Sequence, residues 1–216
     1  MPDAMVMIQL TDDLFLGKGR TRECYRDPRD SSRCIKVDYL NKGCRQTLKE
    51  AKYYQKLRRI KPALEYDFIP RFHGMVETSL GTGGVFDLVR DDDGRVSRTL
   101  GECLRDGTVM CERQLWEEAL EQFLDRLAET GVILRDMNPG NLSARRRADG
   151  SIQLVAIDGI GHRDFIPLCD HCLWLARRKQ ARQIAKKDMG SIQSLLDRAE
   201  RMARRNAGTQ ATRATP

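Results

Sequence analysis

The stretch Ile133-Leu134-Arg135-Asp136-Met137-Asn138-Pro139-Gly140-Asn141-Leu142 does most to limit what this chain can fold into. Sixteen residues past Asn141 comes Ile157-Asp158-Gly159, at the end of an apolar run, Ile152–Ile157, that reads as a strand. A short hairpin from Asn141 to Asp158 would bring both side-chain oxygens to one point. Hard oxygen ligands of this kind suit Mg²⁺ when it shares its shell with phosphates and water. Asp136, in the tight loop, is a carboxylate able to accept a proton from an attacking hydroxyl. An acid, an amide five positions on and a second acid after an apolar strand make a layout for phosphoryl transfer. The competing reading is a polar loop closed by Asn-Pro-Gly turn chemistry, and the rest of the chain has to decide.

Upstream, residues 8–16 read as a strand, followed by Leu16-Gly17-Lys18-Gly19-Arg20-Thr21-Arg22. Gly17 and Gly19 let the chain turn sharply and bring backbone N–H groups close to phosphates; an ordinary hairpin is the plain alternative. The next strand, Arg33–Asp38, sets Lys36 among apolar neighbours, where a buried ammonium needs a partner. A helix is expected over Arg45–Arg59, ended by Lys61-Pro62. Glu50 on that helix either meets Lys36 or stands as one more surface charge. Strands are expected at Met75–Thr78 and Val85–Arg90, around the Gly81–Gly84 turn. His73, beside a glycine at a strand start, reads as structural. A short helix is expected over Leu100–Arg105. The clearest helix covers 112–130: Leu115, Trp116, Ala119, Leu120, Phe123, Leu124 and Leu127 form one apolar stripe. Two more are expected over Pro167–Lys187 and Ser191–Arg205, with a frayed tail at 206–216.

Composition excludes some classes. No run of about 18 apolar residues exists, so no transmembrane segment is expected. The N-terminal residues lack the basic start and apolar core of a signal peptide. The expected setting is therefore cytoplasmic, and the seven scattered cysteines read as free thiols. Cys169-Asp170-His171-Cys172 could offer zinc ligands, but no second pair completes a four-ligand site. Net charge is +7, and the same excess falls between residues 177 and 205, where ten basic side chains meet three acidic ones. That block is either a surface for an anionic partner, such as nucleic acid, lipid or a phosphorylated protein, or two helices with solvated basic faces.

The order of these features over residues 14–165 resembles the protein-kinase-like superfamily. Within it, Leu-Gly-Lys-Gly-Arg, Cys-Ile-Lys-Val-Asp, Lys-Tyr-Tyr, Ile-Pro-Arg-Phe-His-Gly, Val-Glu-Thr-Ser-Leu-Gly-Thr-Gly and Ile-Asp-Gly-Ile-Gly resemble the bacterial PhoP regulatory network protein family, YrbL. The resemblance implies an α+β, two-lobed fold. An antiparallel sheet with one helix (1–88) would sit over a reduced, mainly helical lobe (89–205), with ATP between them. Gly17 and Gly19 then cover the phosphates, and Lys36, paired with Glu50, holds them. The backbone from Leu88 to Arg90 meets the adenine. Asn141 and Asp158 hold Mg²⁺, and Asp136 orients the hydroxyl of an acceptor. The alternative of another class is a nucleotide-binding regulatory module acting through protein partners.

Departures from the superfamily pattern are informative. Arg22 stands at the third glycine of the phosphate loop, and Leu134 replaces the histidine before Arg-Asp. Asn138 stands where many Ser/Thr kinases place a lysine near the γ-phosphate, and Arg20 or Arg22 are the nearest replacements. Gly159-Ile160 replaces Phe-Gly after the metal acid. Only 58 residues follow Asp158, without an Ala-Pro-Glu segment, which implies a compact lower lobe.

Overall fold

The computed structural model describes residues 7–39, 45–64, 66–161, 172–187, 189–199 and 201. Five strands, β1 (Phe15–Lys18), β2 (Arg22–Asp27), β3 (Asp30–Asp38), β4 (Phe72–Thr78) and β5 (Gly81–Asp87), form an antiparallel sheet in the order β1-β2-β3-β5-β4. Strand periodicity gives β3 two different faces. Ile35 and Val37 bury with Ile8, Leu10, Tyr25 and Val85 on one side. Cys34 joins a larger cluster with Ala51, Tyr54 and Leu57 on the other. Lys36, in phase with Cys34, shares that second face.

Helix α1 (Gln46–Ile60) packs against β3, β4 and β5. Its first turn is tied to the end of β3, because Asp38 accepts hydrogen bonds from the Thr47 N–H at 3.0 Å and from its hydroxyl at 2.8 Å. An orphan N–H of the helix start is thereby satisfied from a neighbouring element. The strand expected over 8–16 forms only in its last part. Ile8 makes an isolated bridge to Thr78, and Asp12–Leu14 is a single 3₁₀ turn before β1. Thr and Asp side chains favour local turns over ladder pairing. The strand expected at Val85–Arg90 is instead β5, displaced toward the Gly81 turn.

Next come α2 (Leu100–Arg105), α3 (Thr108–Cys111), α4 (Arg113–Thr130), β6 (Leu142–Arg146), β7 (Ile152–Ala156), α5 (Leu173–Lys187) and α6 over 192–199. Thr99 and Glu102 form a capping box at α2. The α4 stripe is core: Trp116, Ala119, Leu120, Phe123 and Leu127 are buried. Gly131, at φ +65°, ends α4 and donates back to the Leu127 carbonyl at 2.9 Å. β6 and β7 make the two-stranded hairpin that the Asn141–Asp158 spacing requires. The class is mixed α and β with an antiparallel sheet. Its large buried cluster continues without a break from Cys34 and Leu57 through Trp116 and Leu142 to Leu195. Of the expected features, residues 167–171, including most of the Cys-Asp-His-Cys run, and the tail 206–216 lie outside the described residues. No helix among the described residues is long and apolar enough to cross a membrane.

The basic helix α5 is docked by a buried amide. Gln180 Nε2 donates to the carbonyls of Leu127 and Val132, both at 2.8 Å. Gln180→Ala should therefore lower unfolding free energy by about 1–3 kcal/mol, chiefly because the Val132 carbonyl loses its partner. Gln193→Ala, at an exposed site, should shift it by no more than about 0.5 kcal/mol in the same urea titration.

Candidate functional site

The Asp136 loop and the Asp158 loop are bound to each other through their backbones. Arg135 N–H donates to the Gly159 carbonyl at 2.5 Å, and Gly161 N–H donates to the Ile133 carbonyl at 2.8 Å. Gly159 has φ +76°, and a Cβ there would lie 2.9 Å from the Asp136 carbonyl oxygen. Only glycine allows this approach. On the opposite flank, Ile157 N–H donates to the Asn141 carbonyl at 2.8 Å, extending the β6–β7 ladder by one step. Asn141 and Asp158 are thus held at one end of the hairpin. Tyr53 of α1 reaches the same junction, its hydroxyl accepting from the Ile133 N–H at 3.0 Å.

Each oxygen has a defined state. Asn141 Nδ2 donates to the Asp136 carbonyl at 3.0 Å, which turns its Oδ1 the other way. Asp158 Oδ1 accepts from the Arg22 guanidinium at 2.7 Å and from the Gly159 N–H at 2.5 Å. Asp158 Oδ2 has no partner among the described residues. Burial tends to raise the Asp158 pKa. The nearby Arg22 and Lys36 charges, with the Gly159 N–H, outweigh it and hold the carboxyl below its ordinary range. Asp136 Oδ1 accepts from Asn138 Nδ2 at 2.6 Å and lies 3.2 Å from Lys187 Nζ. Its Oδ2 is without a partner among the described residues. Asn141 Oδ1 and Asp158 Oδ2 are the pair that could hold Mg²⁺. No group of three His, Cys, Asp or Glu suited to a metal occurs among the described residues. Such an ion would therefore complete its shell with phosphates and water.

The structure parts Lys36 from Glu50. The partner of Glu50 is Arg22, whose guanidinium lies 2.6 Å from Glu50 Oε2 and 2.7 Å from Asp158 Oδ1. Arg22 is 3% exposed and Glu50 1%. Burial works against the Arg22 charge, but the two carboxylates more than compensate, and its pKa rises above the ordinary value. A planar, always-charged fork presents separate nitrogens to two carboxylates at once. Lys36, 7% exposed, instead donates to the Ile157 carbonyl and sits 4.5 Å from the centroid of the Phe86 ring. It forms no ion pair among the described residues. An ammonium carries three donors, so this buried cation next to Asp158 can still take an anion.

The remaining expected residues fall as follows. Gly17 lies in β1, and a Cβ there would meet nothing within 4 Å; Gly19 donates its N–H to the Arg22 carbonyl at 2.8 Å, closing the β1–β2 turn. Leu88 and Arg90 serve as struts. The Leu88 N–H is taken by the Ser32 carbonyl at 2.8 Å, and the Arg90 guanidinium clamps the carbonyls of Ser31 and Gly94. Within the Leu88–Arg90 backbone expected to meet adenine, the Leu88 N–H is thus engaged inside the fold. His73 is structural, with Nε2 2.6 Å from Asp87 Oδ1. The five cysteines among the described residues are free thiols.

Sequence reasoning missed Lys187 and Arg198. Lys187 Nζ lies 3.3 Å from Asn138 Oδ1, and Arg198 donates to the same oxygen at 3.2 Å and to the Lys187 carbonyl at 2.6 Å. The position beside Asp136, where Asn138 supplies no charge, is thus reached by a cation from the end of α5. The only sequence signal was the charge excess of residues 177–205, which does not say which of its members turn inward.

The class this geometry defines is a mixed α+β protein with paired acidic loops and an ion-pairing arginine sealed beneath them. The chain belongs to the PhoP regulatory network protein YrbL family, which it matches over residues 8–188. It is 37% identical over 183 residues to a protein of Escherichia coli strain K12 named Uncharacterized protein YrbL, covering 82% of this chain and 84% of that one. A protein of the same name from Shigella flexneri gives the same identity and coverage.

Removing Arg22 should expose how much depends on it. Arg22→Met leaves Glu50 buried and unpaired, a cost of about 3–5 kcal/mol in urea denaturation. Adding Glu50→Met should restore much of that loss, and strictly additive effects would contradict the pairing. Because the Asp158 pKa is depressed on folding, its contribution is present above the unfolded carboxylate pKa and lost as pH falls through the folded one. That acid-side loss should shrink in Arg22→Met.

Proposed function

We propose that this chain is a Mg²⁺-ATP-dependent phosphotransferase of the protein-kinase-like, two-lobed kind, acting on a hydroxyl acceptor. One observation carries the reading: Lys36 is a buried cation beside Asp158 whose expected carboxylate partner is held by Arg22. A cation in that state favours a phosphate ligand, and the open approach at Gly17 leaves room for one. Lys36 would bind the phosphates, while Asn141 Oδ1 and Asp158 Oδ2 would hold the metal. Bound Mg²⁺-ATP supplies the phosphoryl group and neutralises charge on it. Asp136 Oδ2 would take the proton as the acceptor oxygen bonds to the γ-phosphorus and the bond to ADP breaks. Lys187 would set positive charge where negative charge develops, the role that Asn138 cannot fill.

A regulatory reading has one observation in its favour. Arg22 already occupies Asp158 Oδ1, so a metal must share that carboxylate with a buried guanidinium. The family description also speaks of a regulatory network. In that reading the chain binds nucleotide and acts through a protein partner without turnover.

Two variants separate these outcomes. Lys36→Met should weaken Mg²⁺-ATP by about 1.5–3 kcal/mol in calorimetry and leave adenosine binding unchanged. Asp136→Asn should keep nucleotide affinity within a few-fold and cut ATP turnover by about 10²–10⁴. Binding without turnover in the native chain would favour the regulatory reading. Undetectable binding at millimolar nucleotide would overturn both.

A further inference from the structure

A second cavity opens beside Asp136, with a volume of about 270 Å³. Arg135, Asp136 and Met137 form one wall, and Lys179, Lys186 and Lys187 of α5 form the other. Among the described residues, the basic side chains of this lining outnumber its one carboxylate. Lys187 already lies against that carboxylate, and the half-buried Arg135 guanidinium has no partner among the described residues. Gln183 also borders the cavity, and its Oε1 is buried without a hydrogen-bond partner among the described residues.

We propose that this cavity is the acceptor site and takes small hydroxyl compounds that carry a phosphate or a carboxylate. The proposal rests on the phosphotransferase reading, because it places the acceptor hydroxyl at Asp136 Oδ2. The anionic group would then lie between Arg135 and Lys186. Charge explains the selectivity, since cations gathered on a low-dielectric wall attract an anion more strongly than they would in water. Size points to a small molecule, because ligand cavities commonly hold about 300–1,000 Å³ and this one falls just below that range.

A polyanion surface fits less well. The basic residues of α5 are not a uniform solvated stripe. Arg177 Nε is spent on the Ala128 carbonyl at 2.9 Å, and Lys187 turns in toward Asp136. The charge converges on a concavity next to a proton-accepting carboxylate. Exposed Trp174, with the Arg178 guanidinium 5.4 Å from its ring centroid, gives α5 one stacking ring outside the cavity lining, where nucleic acid would be served by a ridge of cations with several interleaved rings.

The test uses the full chain, calorimetry at constant ionic strength and three probes: glycerol 3-phosphate, glycerate and uncharged glycerol. The two anions should bind at millimolar concentration and glycerol should not. Arg135→Gln/Lys186→Gln should weaken both anions by about ten-fold or more at an unchanged unfolding midpoint. Lys186→Gln alone, at an exposed side chain, keeps the test decisive if the double variant does not fold. Equal binding of all three probes, no binding of either anion, or indifference to the substitutions would overturn the proposal. So would a steeply salt-dependent affinity for an RNA oligonucleotide without binding of the small anions. Loss of anion binding with Mg²⁺-ATP binding intact would sink the acceptor site alone. Anion binding without any Mg²⁺-ATP binding would sink the phosphotransferase reading, and the acceptor role with it.

Discussion

One buried guanidinium holds the site together. Arg22 begins β2, Glu50 lies on α1 and Asp158 follows β7, so the two ion pairs of Arg22 join three separate parts of the chain. Burying such charges is costly, and it is offset by the guanidinium's close approach to both carboxylates, 2.6 Å to Glu50 and a 2.7 Å hydrogen bond to Asp158. The consequence for Lys36 is direct. With Glu50 engaged, the lysine has a carbonyl and an aromatic face for company but no carboxylate among the described residues, and it keeps its capacity for an anion.

Much of the fold was legible because local rules and tertiary packing agree. The Arg33–Asp38 run read as a strand with Lys36 among apolar neighbours, and it forms the second half of β3. The seven-residue stripe in 112–130 announced the helix that forms the core. The Asn141–Asp158 spacing demanded a hairpin, and β6 and β7 supply it. The junction between the Asp136 and Asp158 loops was not read from the sequence, because the reason for Gly159, the 2.9 Å approach to the Asp136 carbonyl, needs three dimensions. Elsewhere pattern misled. Apolar residues in 8–16 suggested a strand, but Thr11, Asp12 and Asp13 favour a turn.

Pairings between distant charges were not legible at all. Glu50 is equally compatible with Lys36 or Arg22 on paper, since both lie on strands preceding α1. In the structure it is the arginine that lies 2.6 Å from Glu50 and 2.7 Å from Asp158. Lys187 is 49 positions from Asn138, inside a run of similar residues, and nothing local marks it. The basic helix was read as either a binding surface or a solvated face. It is partly a third thing, since Gln180 docks it to α4 and its last residue enters the Asp136 loop.

The most direct test of the central claim is a crystal structure of the full chain grown with Mg²⁺ and a non-hydrolysable ATP analogue. The account predicts phosphates at Lys36, the metal between Asn141 and Asp158, and Arg22 still paired with Glu50. Nucleotide bound elsewhere, or a site in which Lys36 pairs with Glu50 and Arg22 is expelled to solvent, would contradict it.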